Sequence, residues 1–421
     1  MEETKVKKAL KVISLVLALA MVFAFAACSN GGNDTTDAAN NETKAGTATA
    51  TDYSKIKFGL ICLHDENSTY DNNFIEALKS VQTELGLSDD QVLIKTNIPE
   101  SDECLSAAEE LVDEGCNIIF ADSFGHETYI IQAAEEFPEV QFCHATGTQA
   151  KQKNLANYHN GFASIYQGRY LAGVAAGLKL NEMIADGKIT AEQAVMGYVG
   201  AFNYAEVVSG FTSFYLGAKS VCPSVTMKVT YTNSWFDIAL EREAALSLIN
   251  DGCVLISQHA DSEGAPKACE EKGVPNVAYN IDTSSMGPNT AIISSKINWA
   301  PYYKVAINAV AAGESFDTDW CGTIETGSVE LTALNTAVAA EGTQEKLDEV
   351  KEKLVSGEIK VFDTANFTVN GEKLTEYQAD VDGDYAPDTN VIIDGIFEES
   401  NAQFRSAPYF DIKYIDGITE K

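Results

Sequence analysis

The residues with the most chemistry in this chain sit in short polar runs that follow apolar ones. "IKFGLICL" (56–63) leads into "HDENSTYDNNF" (64–74), which carries Asp71, Asn73 and Phe74 and has neither glycine nor proline. Ordinary turns use those two residues for their backbone geometry, so a run without them offers side chains instead. "ADSFGHE" brings Asp122, Ser123 and Phe124, and "GAFNYAE" brings Phe202, Asn203 and Tyr204. "TNSWFD" supplies Asn233, Trp235 and Asp237, and "QHADS" supplies Gln258, His259, Asp261 and Ser262. "YNIDTS" adds Asn280 and Asp282, and "SSKINW" adds Lys296 and Trp299.

Two chemistries suit such groups. Asp71 with Asp122, or His259 with Asp261, has the composition of an acid/base pair in a nucleoside or glycoside hydrolase. No nucleophile elbow, HExxH or close run of Asp for calcium-assisted chemistry accompanies them, so no catalytic residue is assigned and the chain is not read as an enzyme. The second chemistry is binding. Aromatic faces stack a planar base for about 1–3 kcal/mol each, and Asp or Asn hydrogen-bonds ring edges and hydroxyls. Phosphate cradles need glycine amides, and neither GxGxxG nor GxxxxGK[ST] occurs at these turns. No cofactor or metal is expected. "DVDGDYAPD" (380–388) lacks the spacing and closing Glu of a calcium loop.

The elements that must position these residues alternate. Apolar runs at 56–63, 91–96, 117–121, 139–144 and 156–162 alternate with amphipathic helical stretches such as 74–85 and 104–114, the latter closed by Gly115. After a long helix in "SIYQGRYLAGVAAGLKLNEMI" the pattern restarts. Strands are expected at 195–199, 225–231, 253–257, 276–279 and 291–296, with helices at 204–219, 238–251, 263–272 and about 300–312. This order predicts an α/β fold of two doubly wound parallel-sheet lobes, which bind ligands at the carboxyl ends of their strands. A polar, turn-rich C-terminal part follows a charged helix, "TQEKLDEVKEKLVSG".

At 421 residues the chain is too long for one simple core. With 29 basic against 62 acidic residues its net charge is −33, which repels phosphate backbones and excludes nucleic acid as a partner. Lys5, Lys7, Lys8 and Lys11 precede an apolar run, Val12–Ala27, in the pattern of a secretory signal. "FAAC" places Cys28 where the bacterial lipobox cysteine receives diacylglycerol and acyl chains such as palmitate. Ser29–Asp52 has almost no large apolar residue and reads as a tether. The expected location is therefore extracytoplasmic, anchored to the cell membrane through lipid on Cys28. Of the other eight cysteines, Cys62, Cys116, Cys143 and Cys253 fall in or beside apolar strands, where thiols serve as small hydrophobes.

Lipobox, tether and paired βαβ sets, together with "STYDNNF", "YQGRYLAGVAAGL" (166–178), "GYVGAFNYAEVVSGFTSFYLGAKSV" (197–221) and "NSWFDIALEREAALSLINDGC" (233–253), resemble the basic membrane protein family. These solute-binding lipoproteins serve ABC importers and include purine nucleoside receptors. The resemblance implies a type I periplasmic-binding (Venus flytrap) fold with hinge crossings near 165, 296 and 325. Lobe 1 would comprise 54–165 plus 297–325, and lobe 2 would comprise 166–296 plus 326–421, after a signal peptide (1–27) and a tether (28–53). It also implies that Phe74 stacks the base, with Asp71, Asn73 and Asp122 beside it. Phe202 and Trp235 would add aromatic surface; Asn280 or Asp282, with Lys296, would hold ribose. His259 and Asp261 would complete the second lobe's wall. Asn280 stands where nucleoside receptors prefer a carboxylate, and "QHADS" resembles nucleobase binders. The implied ligand is therefore a purine nucleoside or base, bound by a monomer that serves an ABC permease and its ATPase. A sugar or autoinducer is the alternative ligand.

Overall fold

The structure, a computed structural model, describes residues 51–421; the signal segment, Cys28 and all but the end of the tether lie outside them. The first sheet contains β1 (Phe58–Ile61), β2 (Val92–Lys95), β3 (Ile118–Ala121), β4 (Gln141–Ala145), β5 (Tyr158–Ala163) and β11 (Asp319–Gly322). Its order is β11-β5-β4-β3-β1-β2, and every pairing is parallel. The second sheet contains β6 (Val195–Gly200), β7 (Thr226–Tyr231), β8 (Leu255–His259), β9 (Asn276–Tyr279), β10 (Ala291–Ile297), β12 (Val329–Leu331) and β17 (Ile418–Glu420). Its order is β12-β10-β9-β8-β6-β7-β17, parallel except for β10 with β12. Every residue of β1, β3, β8 and β9 is buried, as sheets covered on both faces require.

The covering helices are α1 (Thr69–Leu85), α2 (Asp102–Asp113), α3 (Glu127–Glu136), the short α4 (Ala150–Lys153), α5 (Ile165–Ala185), α6 (Ala205–Val221), α7 (Ile238–Asn250), α8 (Gly264–Lys272), α9 (Ala300–Ala312) and α10 (Thr343–Val355). The glycines of "YLAGVAAGL" let α5 and α6 touch backbone to backbone. A Cβ on Gly173 would overlap the carbonyl of Phe214, and one on Gly217 would overlap that of Tyr170. The chain crosses between sheets between β5 and α5, between β10 and α9, and between β11 and β12.

Helix α1 starts earlier than the apolar pattern alone predicts. Ser68 caps it, its Oγ accepting from the Asp71 amide, so Asp71, Asn73 and Phe74 are helical and do not belong to the preceding loop. Asp237 caps α7 by accepting from the amides of Ala239 and Leu240, both at 2.9 Å.

The C-terminal segment forms two small hairpins, β13 (Gln378–Ala379) with β14 (Thr389–Asn390) and β15 (Ile392–Ile393) with β16 (Ile396–Phe397). It touches both sheets. Ser406 donates to Asp319 of β11 at 2.5 Å and accepts from Asn160 of β5 at 2.9 Å, while β17 extends the second sheet beside β7. Cys62, Cys104, Cys116, Cys143, Cys222, Cys253 and Cys269 are free and buried; Cys321 is free and half-buried.

Candidate ligand-binding site

The carboxyl ends of the strands face one another across a narrow cavity of about 20 Å³, room for about one water molecule. Leu63, His64, Tyr70, Asp71, Ser123, Phe124 and Thr146 line it from the first lobe; Glu206, Trp235, Asp261 and Tyr279 line it from the second. The lobes meet around it. The Thr69 amide donates to the Asp261 carbonyl at 2.8 Å, Phe124 and Tyr204 lie 5.7 Å apart between ring centroids, and His64 lies 5.4 Å from Phe236.

Of the residues expected at the site, Asp71, Trp235 and Asp261 line this cavity. Asp71 Oδ1 accepts from the His64 amide at 2.8 Å, and its Oδ2 accepts from Ser68 Oγ at 2.5 Å, so it shapes the loop as well as walling the cavity. Burial raises its pKa, but the hydrogen bonds from His64 and Ser68 outweigh this and hold it below the usual Asp value. Asp122 is fully buried beside it. Its Oδ1 accepts from the Leu63 amide at 3.2 Å, and its Oδ2 has no partner. Burial, with Asp71 adjacent, pushes its carboxyl well above the ordinary range.

Phe74, expected to stack on the ligand, does not line the cavity. It sits one helical turn below Tyr70, fully buried, and stacks on Trp299 with centroids 4.3 Å apart. The aromatic face that α1 offers is that of Tyr70, fixed by a 2.8 Å bond from its hydroxyl to the Asp122 carbonyl. Asn73 points to the hinge, donating to the Ile297 carbonyl at 2.6 Å. Phe202 backs Trp235 edge-on, with centroids 5.1 Å apart. His259 lies behind Tyr279, its Nε2 3.4 Å from Glu206 Oε1; burial, then the nearby Arg169 charge, lowers its pKa to about 4.

Asn280 is buried with φ at 72°, its amide donating to the Ser295 carbonyl and its Nδ2 without a partner. Asp282 is exposed and accepts from the Ser284 amide in a turn, and Lys296 pairs with Glu330 at 3.6 Å. Neither lines the cavity. Tyr70, Glu206 and Tyr279 were missed by sequence reasoning although each stands inside a polar run quoted above. Residue type singled out their carboxylate and amide neighbours, and only helix phase or strand position places these three on the wall. Arg169, of α5, was missed too. Although it is 1% exposed, it packs its guanidinium 3.7 Å from the centre of the Tyr279 ring and donates to the Gln258 carbonyl at 3.0 Å.

Two α/β lobes joined by crossing segments, with a small cavity between their strand ends, define the type I periplasmic-binding fold. The chain belongs to the Bmp family, described as PnrA-like ABC transporter substrate-binding proteins, whose model matches residues 63–365. This is a family of extracytoplasmic solute-binding proteins, not of enzymes. Among the described residues no helix is long and apolar enough to cross a membrane.

A protein of Brucella abortus named purine-binding protein is 30% identical over 312 residues, 73% of this chain and 83% of its own length. A Haloferax volcanii protein named putative ABC transporter glucose-binding protein is 32% identical over 255 residues, 60% of this chain and 61% of its own. Among solved structures, an ABC transporter solute-binding protein from Conexibacter woesei matches with a TM-score of 0.59 at 21% identity. The match covers 72% of this chain and 97% of that one, and it shows the shared fold.

Proposed function

We propose that this protein captures a purine base or nucleoside between its lobes and delivers it to an ABC permease and its ATPase. It acts as a monomer held outside the membrane by lipid on Cys28, with residues 1–27 as its signal and 28–53 as its tether. Lobe 1 would be 54–165 plus 297–325, and lobe 2 would be 166–296 plus 326–421, with the segment around 399–406 reaching back to the first. The observation that carries the reading is the cavity wall. Tyr70, Phe124, Trp235 and Tyr279 supply aromatic faces for a flat ring, and Asp261 and Glu206 supply acceptors for its edge. Asp122, with one oxygen unpartnered behind Asp71, is the next acceptor inward. The purine-binding name of the Brucella relative supports the same class.

The sugar reading draws on the Haloferax relative, since sugars also stack on aromatic faces. Calorimetry of the full chain with adenine, guanine, adenosine, guanosine, glucose and ribose separates the two. Purines are expected to bind in the nanomolar-to-micromolar range, about −12 to −8 kcal/mol. Heat with a sugar alone would replace the purine reading with the second one.

A further inference from the structure

Two carboxyl groups on the wall of the cavity, Asp261 and Glu206, have unmet hydrogen-bonding capacity. On the first lobe the hydroxyl donors are already engaged. Tyr70 donates to the Asp122 carbonyl, Ser123 Oγ to Glu100 at 2.6 Å, and Thr146 Oγ1 to the Ala145 carbonyl at 2.6 Å. On the second lobe the Trp235 indole and the Tyr279 hydroxyl stand beside two carboxyl groups with unmet capacity. Asp261 is 4% exposed and its Oδ1 has no partner, while Glu206 is met only by His259 Nε2 at 3.4 Å. No Lys or Arg lines the cavity, and Arg169 is screened behind the Tyr279 ring.

Two carboxyl groups with unmet capacity in one small cavity demand N–H donors from whatever fills it, because an unpaired buried acceptor is costly. A planar ring meets that demand best where an amino group stands beside a ring N–H. Those two donors point the same way and match the two oxygens of one carboxylate.

Building on the purine reading, we infer that Asp261 and Glu206 select a purine whose edge carries an amino group next to a ring N–H, as guanine does, over the same ring without the amino group. Asp261 takes the paired donors, its main chain held by the Thr69 and Trp235 backbones at 2.8 Å on either side. Glu206, in the first turn of α6, takes the remaining amino hydrogen.

The test is calorimetric titration of the full chain with two matched pairs, guanine against hypoxanthine and guanosine against inosine, which differ only in the amino group. Burial, with Glu241 and Asp71 nearby, pushes the Asp261 carboxyl well above its ordinary range, so part of the gain goes to ionising it. Within the pair that binds, the amino member is expected to bind about threefold to tenfold tighter, the range of a net hydrogen bond. The advantage should shrink to about twofold or less in Asp261→Asn. It should fall partway in Glu206→Gln, whose half-buried position keeps the fold intact. Equal binding within both pairs, or an advantage that survives in both variants, overturns the inference and leaves the purine reading standing. Absence of binding by all four overturns both.

Discussion

Phe74 and Trp235 are both large aromatics in polar runs, yet the structure gives them opposite surroundings. Phe74 has no exposed surface and packs among Tyr70, Phe120 and Trp299, so truncation leaves a void. Phe74→Ala is expected to cost about 3–5 kcal/mol of stability. Trp235 is half-buried, lines the cavity and is backed by Phe202. Trp235→Ala is expected to cost about 1–3 kcal/mol of purine affinity and about 1 kcal/mol or less of stability. Urea denaturation paired with calorimetry reads both quantities for each variant. A Trp235→Ala protein that loses stability yet binds purine normally would move the ligand off this face. Within α1 the difference is one of depth: Tyr70 and Phe74, four apart, share one face of the helix, and only the first, one turn nearer the strand ends, reaches the cavity. Residue type alone gives no depth along a helix, and so Asp261 and Trp235 were legible as cavity residues while Tyr70 was not.

Elements were easier to read than orientations. Buried strands written as continuous apolar runs and helices closed by glycine or capped by Asp carry their own boundaries. β11, β12 and β17 do not, since each is three or four residues with mixed burial at or near a sheet edge. The start of α7 shows how an element fixes the site. Glu241 has no exposed surface, and its two oxygens accept from the Ser262 amide at 3.1 Å, joining the helix to the loop that carries Asp261. Burial raises its pKa from 4.5 to about 7 despite the hydrogen bonds it accepts. Between those values the folded chain holds a proton that the unfolded chain has released. Its contribution therefore favours the fold most below pH 4.5, declines as pH rises toward 7, and stays at its lowest above that. Glu241→Gln does not titrate, so relative to wild type it is expected to gain on the order of 3 kcal/mol between pH 4.5 and 7. Urea midpoints at unit intervals from pH 4 to 8 measure the difference. A pH-independent gap would show that Glu241 ionises normally.

At the scale of the molecule, the segment after the family match ends at residue 365 is the least legible part and the one that spans the fold. Its turns hide Phe397 and Phe410, which cluster with Phe362 just inside the match, and their spacing follows neither a helical nor a strand period. From that cluster the chain reaches the first sheet and then returns to the second. The Ser406 amide and hydroxyl both donate to Asp319, at 3.0 and 2.5 Å, and Ser164 Oγ donates to the Ser400 carbonyl at 2.8 Å. Twelve residues after Ser406, Ile418 pairs with Met227 of β7. Opening of the lobes therefore has to stretch or release this bridge as well as bend the three crossings. Asp319 is its anchor, 3% exposed at the side chain and 3.7 Å from Lys151. Asp319→Ala removes the acceptor for both Ser406 donors and is expected to cost about 2–5 kcal/mol. Hydrogen exchange should speed up across 399–410 while β17 keeps its protection, because β17 is held by the ladder with β7. If exchange instead rises evenly over both sheets, Asp319 supports the core of the first lobe and does not anchor a bridge between the two.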